Sequence, residues 1–123
     1  MKDFKYQKLA VTIPSGTVAE TLKNLSIQLD TTHHVCVGVS VYEKANTSGA
    51  KYDIGLSDDN GVIHDLTDSR DWIPGSDAPM NSRYKDVEIP IVQGNKLKVL
   101  FQNDALLTAA VTFQVVFKLA KRQ

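Results

Sequence analysis

At 123 residues, with 14 basic and 14 acidic side chains, the chain is one domain by length (1–123) and lacks the basic excess of a protein whose work is to neutralise nucleic-acid phosphates. Cys36 is its single cysteine, so an internal disulfide is excluded and the fold has to be held by its core. No apolar stretch approaches the roughly 20 residues of a membrane span, and Met1-Lys2-Asp3-Phe4-Lys5 leads into no apolar secretion segment, so a soluble protein without a secretion signal is expected.

Phe4 to Ile13 alternates Leu9, Val11 and Ile13 with polar or small residues and stops at Pro14-Ser15-Gly16, which predicts a first strand. Thr17 to Asn24 is ambiguous: Thr17 could cap Glu20, and Val18, Leu22 and Leu25 have helical spacing, so a single helical turn is one reading. Leu25, Ile27 and Leu29 predict a second strand over Leu25 to Asp30. A third runs from His34 to Glu43, with Val35, Val37, Val39 and Val41 on one face and Cys36, Gly38, Ser40 and Tyr42 on the other. After a polar loop at Ala45 to Ala50, Lys51 to Ser57 is a fourth strand. Asp58-Asp59-Asn60-Gly61 predicts a tight hairpin turn because Asn-Gly readily takes positive φ, and Val62 to Leu66 returns as the fifth strand.

Thr67 to Ser82 is polar, aperiodic and the longest loop, a length usually tied to function or disorder. Arg83 to Val92 is a sixth strand, and Pro90 puts it at a sheet edge or puts Pro90 near its end. Gln93-Gly94-Asn95 turns the chain into Lys96 to Asn103. The final strand is the clearest: Val111, Phe113, Val115, Phe117 and Leu119 recur at period two. Eight short strands with almost no helix predict an all-β domain, a single eight-stranded antiparallel jelly roll or a closely related β-sandwich. An immunoglobulin-like sandwich is the competing architecture.

Chemistry-bearing residues are sparse. His33 and His34 are adjacent at the head of a strand and point to opposite faces, so only one of them could join His64 at a metal. Asp53, Asp58, Asp59, Asp65, Asp68, Asp71 and Asp77 concentrate negative charge; Asp58, Asp59 and Asn60 do not match EF-hand spacing, and Asp65, Asp68 and Asp71 either converge on a calcium ion if the loop curls or form a solvated loop rim. Cys36 between valines reads as structural. No phosphate loop, nucleophile elbow or zinc spacing is present, so no enzyme, cofactor, metal or specific nucleic-acid binding is expected. Trp72 is the singular residue. It either anchors a partner contact together with Ile73, Asp68 and Asp71, or folds back to lid the sandwich.

In length, strand count, lone cysteine and charged termini, the stretch from about Phe4 to Leu119 resembles the single jelly-roll structural proteins of bacteriophage virions, of the vertex (penton) or small capsid-decorating type. The resemblance implies a structural subunit that assembles with itself as a homo-oligomer or with other capsid proteins, located in the virion and assembled in the host cytoplasm. It carries over no functional residue. The second reading is a lectin-like, carbohydrate-binding sandwich using Trp72, Tyr84 and Tyr42 as sugar platforms.

Overall fold

A computed structural model describes residues 4–73 and 84–121. Eight strands form among them: β1 (Phe4–Ile13), β2 (Leu22–Ile27), β3 (Val35–Ala45), β4 (Tyr52–Asp58), β5 (Gly61–Asp68), β6 (Lys85–Pro90), β7 (Leu97–Asn103) and β8 (Val111–Ala120). One 3-10 helical turn, Ser69–Asp71, follows β5.

The pairing follows one rule. β1 pairs with β8, β2 with β7, β3 with β6 and β4 with β5, all antiparallel, as in one long hairpin whose tip is the β4–β5 turn. Wrapping that hairpin adds the β3–β8 and β4–β7 pairs and yields two four-stranded sheets, β1-β8-β3-β6 and β2-β7-β4-β5. This is the jelly-roll order, with four strands in each sheet, and the immunoglobulin arrangement of four and three is excluded.

The core lies between the sheets and is filled by the period-two residues read from the sequence. Val111, Phe113, Val115, Phe117 and Leu119 are all fully buried on β8. Tyr52, Phe101 and Phe113 join the two sheets with ring centroids 5.1 to 6.0 Å apart, in the range where aromatic pairs add to plain burial.

Several local readings are corrected. β2 begins three residues earlier than predicted, and no helical turn forms before it. Glu20 instead takes a φ of 61° and donates its N–H to the Asn103 carbonyl, which aligns Leu22 with Gln102. In β3, Val37 is an extra residue against β8, so Cys36 faces the core in register with Val39 and Val41, and the expected face of Val35 and Val37 is broken. At the β4–β5 turn only Gly61 takes positive φ, and Asp58 accepts the Asn60 N–H. Pro90 is the last residue of β6, an edge strand, as its missing N–H requires. Residues 74–82 of the long loop, including Asp77, and Arg83 lie outside the described residues.

The alternation of sheets sends the connections 14–21, 46–51 and 104–110, together with residues 69–73 that follow β5, to one end of the sandwich. The described part of the candidate loop belongs to that end.

Candidate functional site

Asp68, Asp71, Trp72 and Ile73 are brought together where β5 turns over the open end. Asp68 caps the helical turn: it accepts the Arg70 backbone N–H at 2.9 Å and both arms of the Arg70 guanidinium at 3.0 and 3.1 Å. That guanidinium holds the Asp68 carboxyl below its ordinary pKa. Asp71 accepts from Lys85 Nζ at 2.8 Å and from the Thr67 hydroxyl at 3.1 Å, and the Lys85 ammonium is the main reason its pKa falls.

Trp72 is buried, with 2% of its surface exposed. Of the two roles its sequence allowed, the structure places it as a lid on the sandwich. Its indole N–H lies 3.0 Å from both the Ile54 carbonyl and the Thr67 hydroxyl. His64 packs against the ring edge-on at 4.6 Å, Lys85 Nζ lies 5.2 Å from the ring centre, and the Trp72 carbonyl accepts the Val41 N–H. The residue thereby ties β3, β4, β5 and β6 together. A partner contact through the ring is not open on this surface, and what the element offers to solvent is the Asp68, Arg70 and Asp71 rim, with Ile73 half-buried behind it.

Two open grooves flank the 46–51 connection. One, of about 270 Å³, separates it from 104–110 and is walled by Gly49, Ala50, Ala105 and Leu106 with Ser48, Lys51, Asp104 and Thr108 between them. The other, of about 220 Å³, lies toward Asp68 and Arg70. Asn46 holds the intervening connection by exchanging hydrogen bonds with both polar backbone groups of Ala50. Beneath it the Tyr52 hydroxyl donates to Glu43 at 2.6 Å; burial, then the Glu43 carboxylate, push the phenol pKa up.

The residues that sequence reasoning missed lie on the other side of the same end. Val18, Leu22 and Leu106 are 63%, 51% and 56% exposed. They are carried on backbone that is locked rather than loose. The buried Asn103 amide nitrogen lies within 3.2 Å of the Thr17, Val18 and Ala105 carbonyls, and Leu107 and Gly16 complete reciprocal backbone bonds between the two connections. The only sequence signal was that Val18 and Leu22 fall in the ambiguous stretch before the predicted second strand, outside every strand pattern read there.

The remaining candidates are separated. His33 is buried at the turn before β3 with its Nδ1 3.1 Å from the Thr32 hydroxyl, whereas His64 lies against Trp72. Among the described residues no group of three His, Cys, Asp or Glu side chains is placed to hold a metal ion. Much of the acidic stretch is stitched into local pairs, Asp59 with Lys98, Asp68 with Arg70 and Asp71 with Lys85. The Cys36 thiol is fully buried, which pushes its pKa up to about 12. No helix among the described residues is long and apolar enough to cross a membrane. No family model matches the chain, and no curated protein or solved structure matches it either.

Proposed function

We propose that the chain is a non-enzymatic structural subunit that acts through protein–protein assembly, a vertex, minor-capsid or decoration protein of a virion assembled in the host cytoplasm. The observation that carries this reading is the locked, apolar rim of Val18, Leu22 and Leu106. The core does not use these side chains, yet the fold spends a buried asparagine on holding their backbone in place. Rigid exposed apolar groups beside a groove of mixed apolar and polar lining suit a subunit contact, because little conformational entropy is lost when they are covered. Specific contacts bury on the order of 1,600 Å² in total, more than these three residues supply, so the Asp68–Arg70 rim of the same end is included in the surface.

Light scattering coupled to sizing tests the proposal. A mass above one chain, or co-elution with other capsid proteins, that is lost in Leu106→Asp is the expected result. A strict monomer that binds no capsid protein would sink it. A glycan-binding sandwich is the second reading, favoured by Tyr6 and Tyr84, whose rings are 5.8 Å apart on the outside of a sheet. Those two rings are tilted by 40° to one another, and Trp72, the first of the expected platforms, is buried.

A further inference from the structure

We propose that the outer face of the β1-β8-β3-β6 sheet packs against the same face of a second copy of this chain, about a two-fold axis parallel to the strands. The outward residues follow from the inward ones. With Leu9, Val11, Phe117, Val39 and Ile89 packed inward, Tyr6, Lys8, Lys118, Gly38 and Asp86 point outward.

One row across the face reads Tyr6, Lys118, Gly38, Asp86. Gly38 is the reason this row is apolar at its centre. A Cβ there would stand 2.9 Å from the Tyr84 Cβ, so its absence lets Tyr84 lie on the sheet and meet Tyr6. Lys118 Nζ lies 4.4 Å from the Phe4 ring centre, and Phe4 and Tyr6 remain 40% and 54% exposed. Among the described residues an aromatic belt therefore crosses the sheet near the end where β1 begins, with Gly38 and Ser40 of β3 buried beside it and Lys8, Asp86 and Glu88 exposed at the two edges.

Charge complementarity names the occupant. Lys8 and Lys118 lie on the β1-β8 half, and the exposed Asp86 and Glu88 lie on β6 at the opposite edge. A two-fold axis along the strands sets β1 of one copy over β6 of the other, so Tyr6 covers the Asp86 row and Lys8, two residues further along β1, reaches back toward Asp86 once on each side, while the belts meet across the axis. Four strands about 4.8 Å apart and roughly 30 Å long present a face on the order of 600 Å², the same order as the roughly 800 Å² per partner of a standard interface. Aligned sheets pack in this way within about 30°.

The experiment is sedimentation or light scattering of the full chain across a concentration series, with melting curves as a folding control. Wild type is expected to run as two chains or a multiple of two. Lys8→Glu and Asp86→Lys, both at exposed positions, are each expected to weaken self-association at least roughly tenfold through like-charge contact, and an equimolar mixture of the two is expected to restore it. A monomeric wild type at high concentration would overturn the proposal. So would an oligomer that both swaps leave unchanged; if Leu106→Asp dissociates that oligomer, the subunit role stands and only this face is lost. Glycan-array binding by a monomer, abolished in Tyr6→Ala, would assign the face to sugars instead.

Discussion

Trp72 sits where four strands converge, and its removal deletes the ring packing, the His64 contact and the indole N–H that reaches Ile54 and Thr67. Trp72→Ala is therefore expected to cost about 3–5 kcal/mol, read as a lower denaturation midpoint, while binding by the protein that stays folded is unchanged. Loss of binding at full stability would instead return the residue to the contact surface. Asp53 poses the opposite problem. It lies directly across from Asp68 on β5, and burial first, then Asp104 and Asp68, raise its pKa. A carboxyl held above its unfolded pKa binds its proton more tightly when folded, so it stabilises the protein as pH falls and destabilises it as pH rises through that pKa. Asp53→Asn is expected to gain up to about 1 kcal/mol at pH 7, a gain that vanishes in acid. Chemical denaturation at the two pH values measures both.

At the scale of elements, β8 lies between β1 and β3 and turns its five large residues inward. Phe113→Ala and Phe117→Ala are each expected to cost about 3–5 kcal/mol. Lys118→Ala on the outer side removes cation contacts with Phe4 and Tyr84 and is expected to cost about 1 kcal/mol or less. Urea titration of the three variants reads the two faces separately. β8, β7 and β1 were legible in the sequence because one face is apolar and the other is not. β3 was misphased because Val35, Cys36 and Val37 are apolar in succession, so alternation cannot show which of them is the bulge. The first residues of β2 escaped because Leu22 is apolar yet exposed, which makes a strand start look like part of a helical face. The site was half legible. Loop composition located Asp71, Trp72 and Ile73, while Thr67 and Asp68, read as loop, extend β5; whether an indole turns in or out depends on a carbonyl 18 residues away, which no local pattern encodes.

For the whole molecule, acid and base act through carboxylates whose pKa values are shifted in opposite directions. Lys5 with Thr32 at Asp30, Arg70 at Asp68 and Lys85 at Asp71 depress those pKa values, so their contribution is present above the ordinary carboxylate pKa and is lost as pH falls through the depressed values. The three are expected to outweigh Asp53, giving net loss of stability in acid, and Asp71→Asn is expected to flatten that acid limb in a pH series of melting temperatures. The register of β1 against β8 joins Phe4 to Ala120, so both extremities of the described chain leave from the same end, where Lys5, Lys118 and Lys121 gather.

The placement of β8 also bears on how the protein is made. Until residues 111–120 have left the ribosome, β1 and β3 have no strand between them, and each presents an unpaired edge beside a half-built apolar face. The nascent polypeptide has to carry that gap from the synthesis of β3 until β8 emerges, a state that holdase chaperones recognise. A chain stopped at Ala110 is expected to aggregate on release. Supplying residues 109–121 as a separate peptide during refolding is expected to rescue soluble protein by donating the missing strand, whereas a soluble, cooperatively melting 1–110 fragment would show that the two sheets close without it.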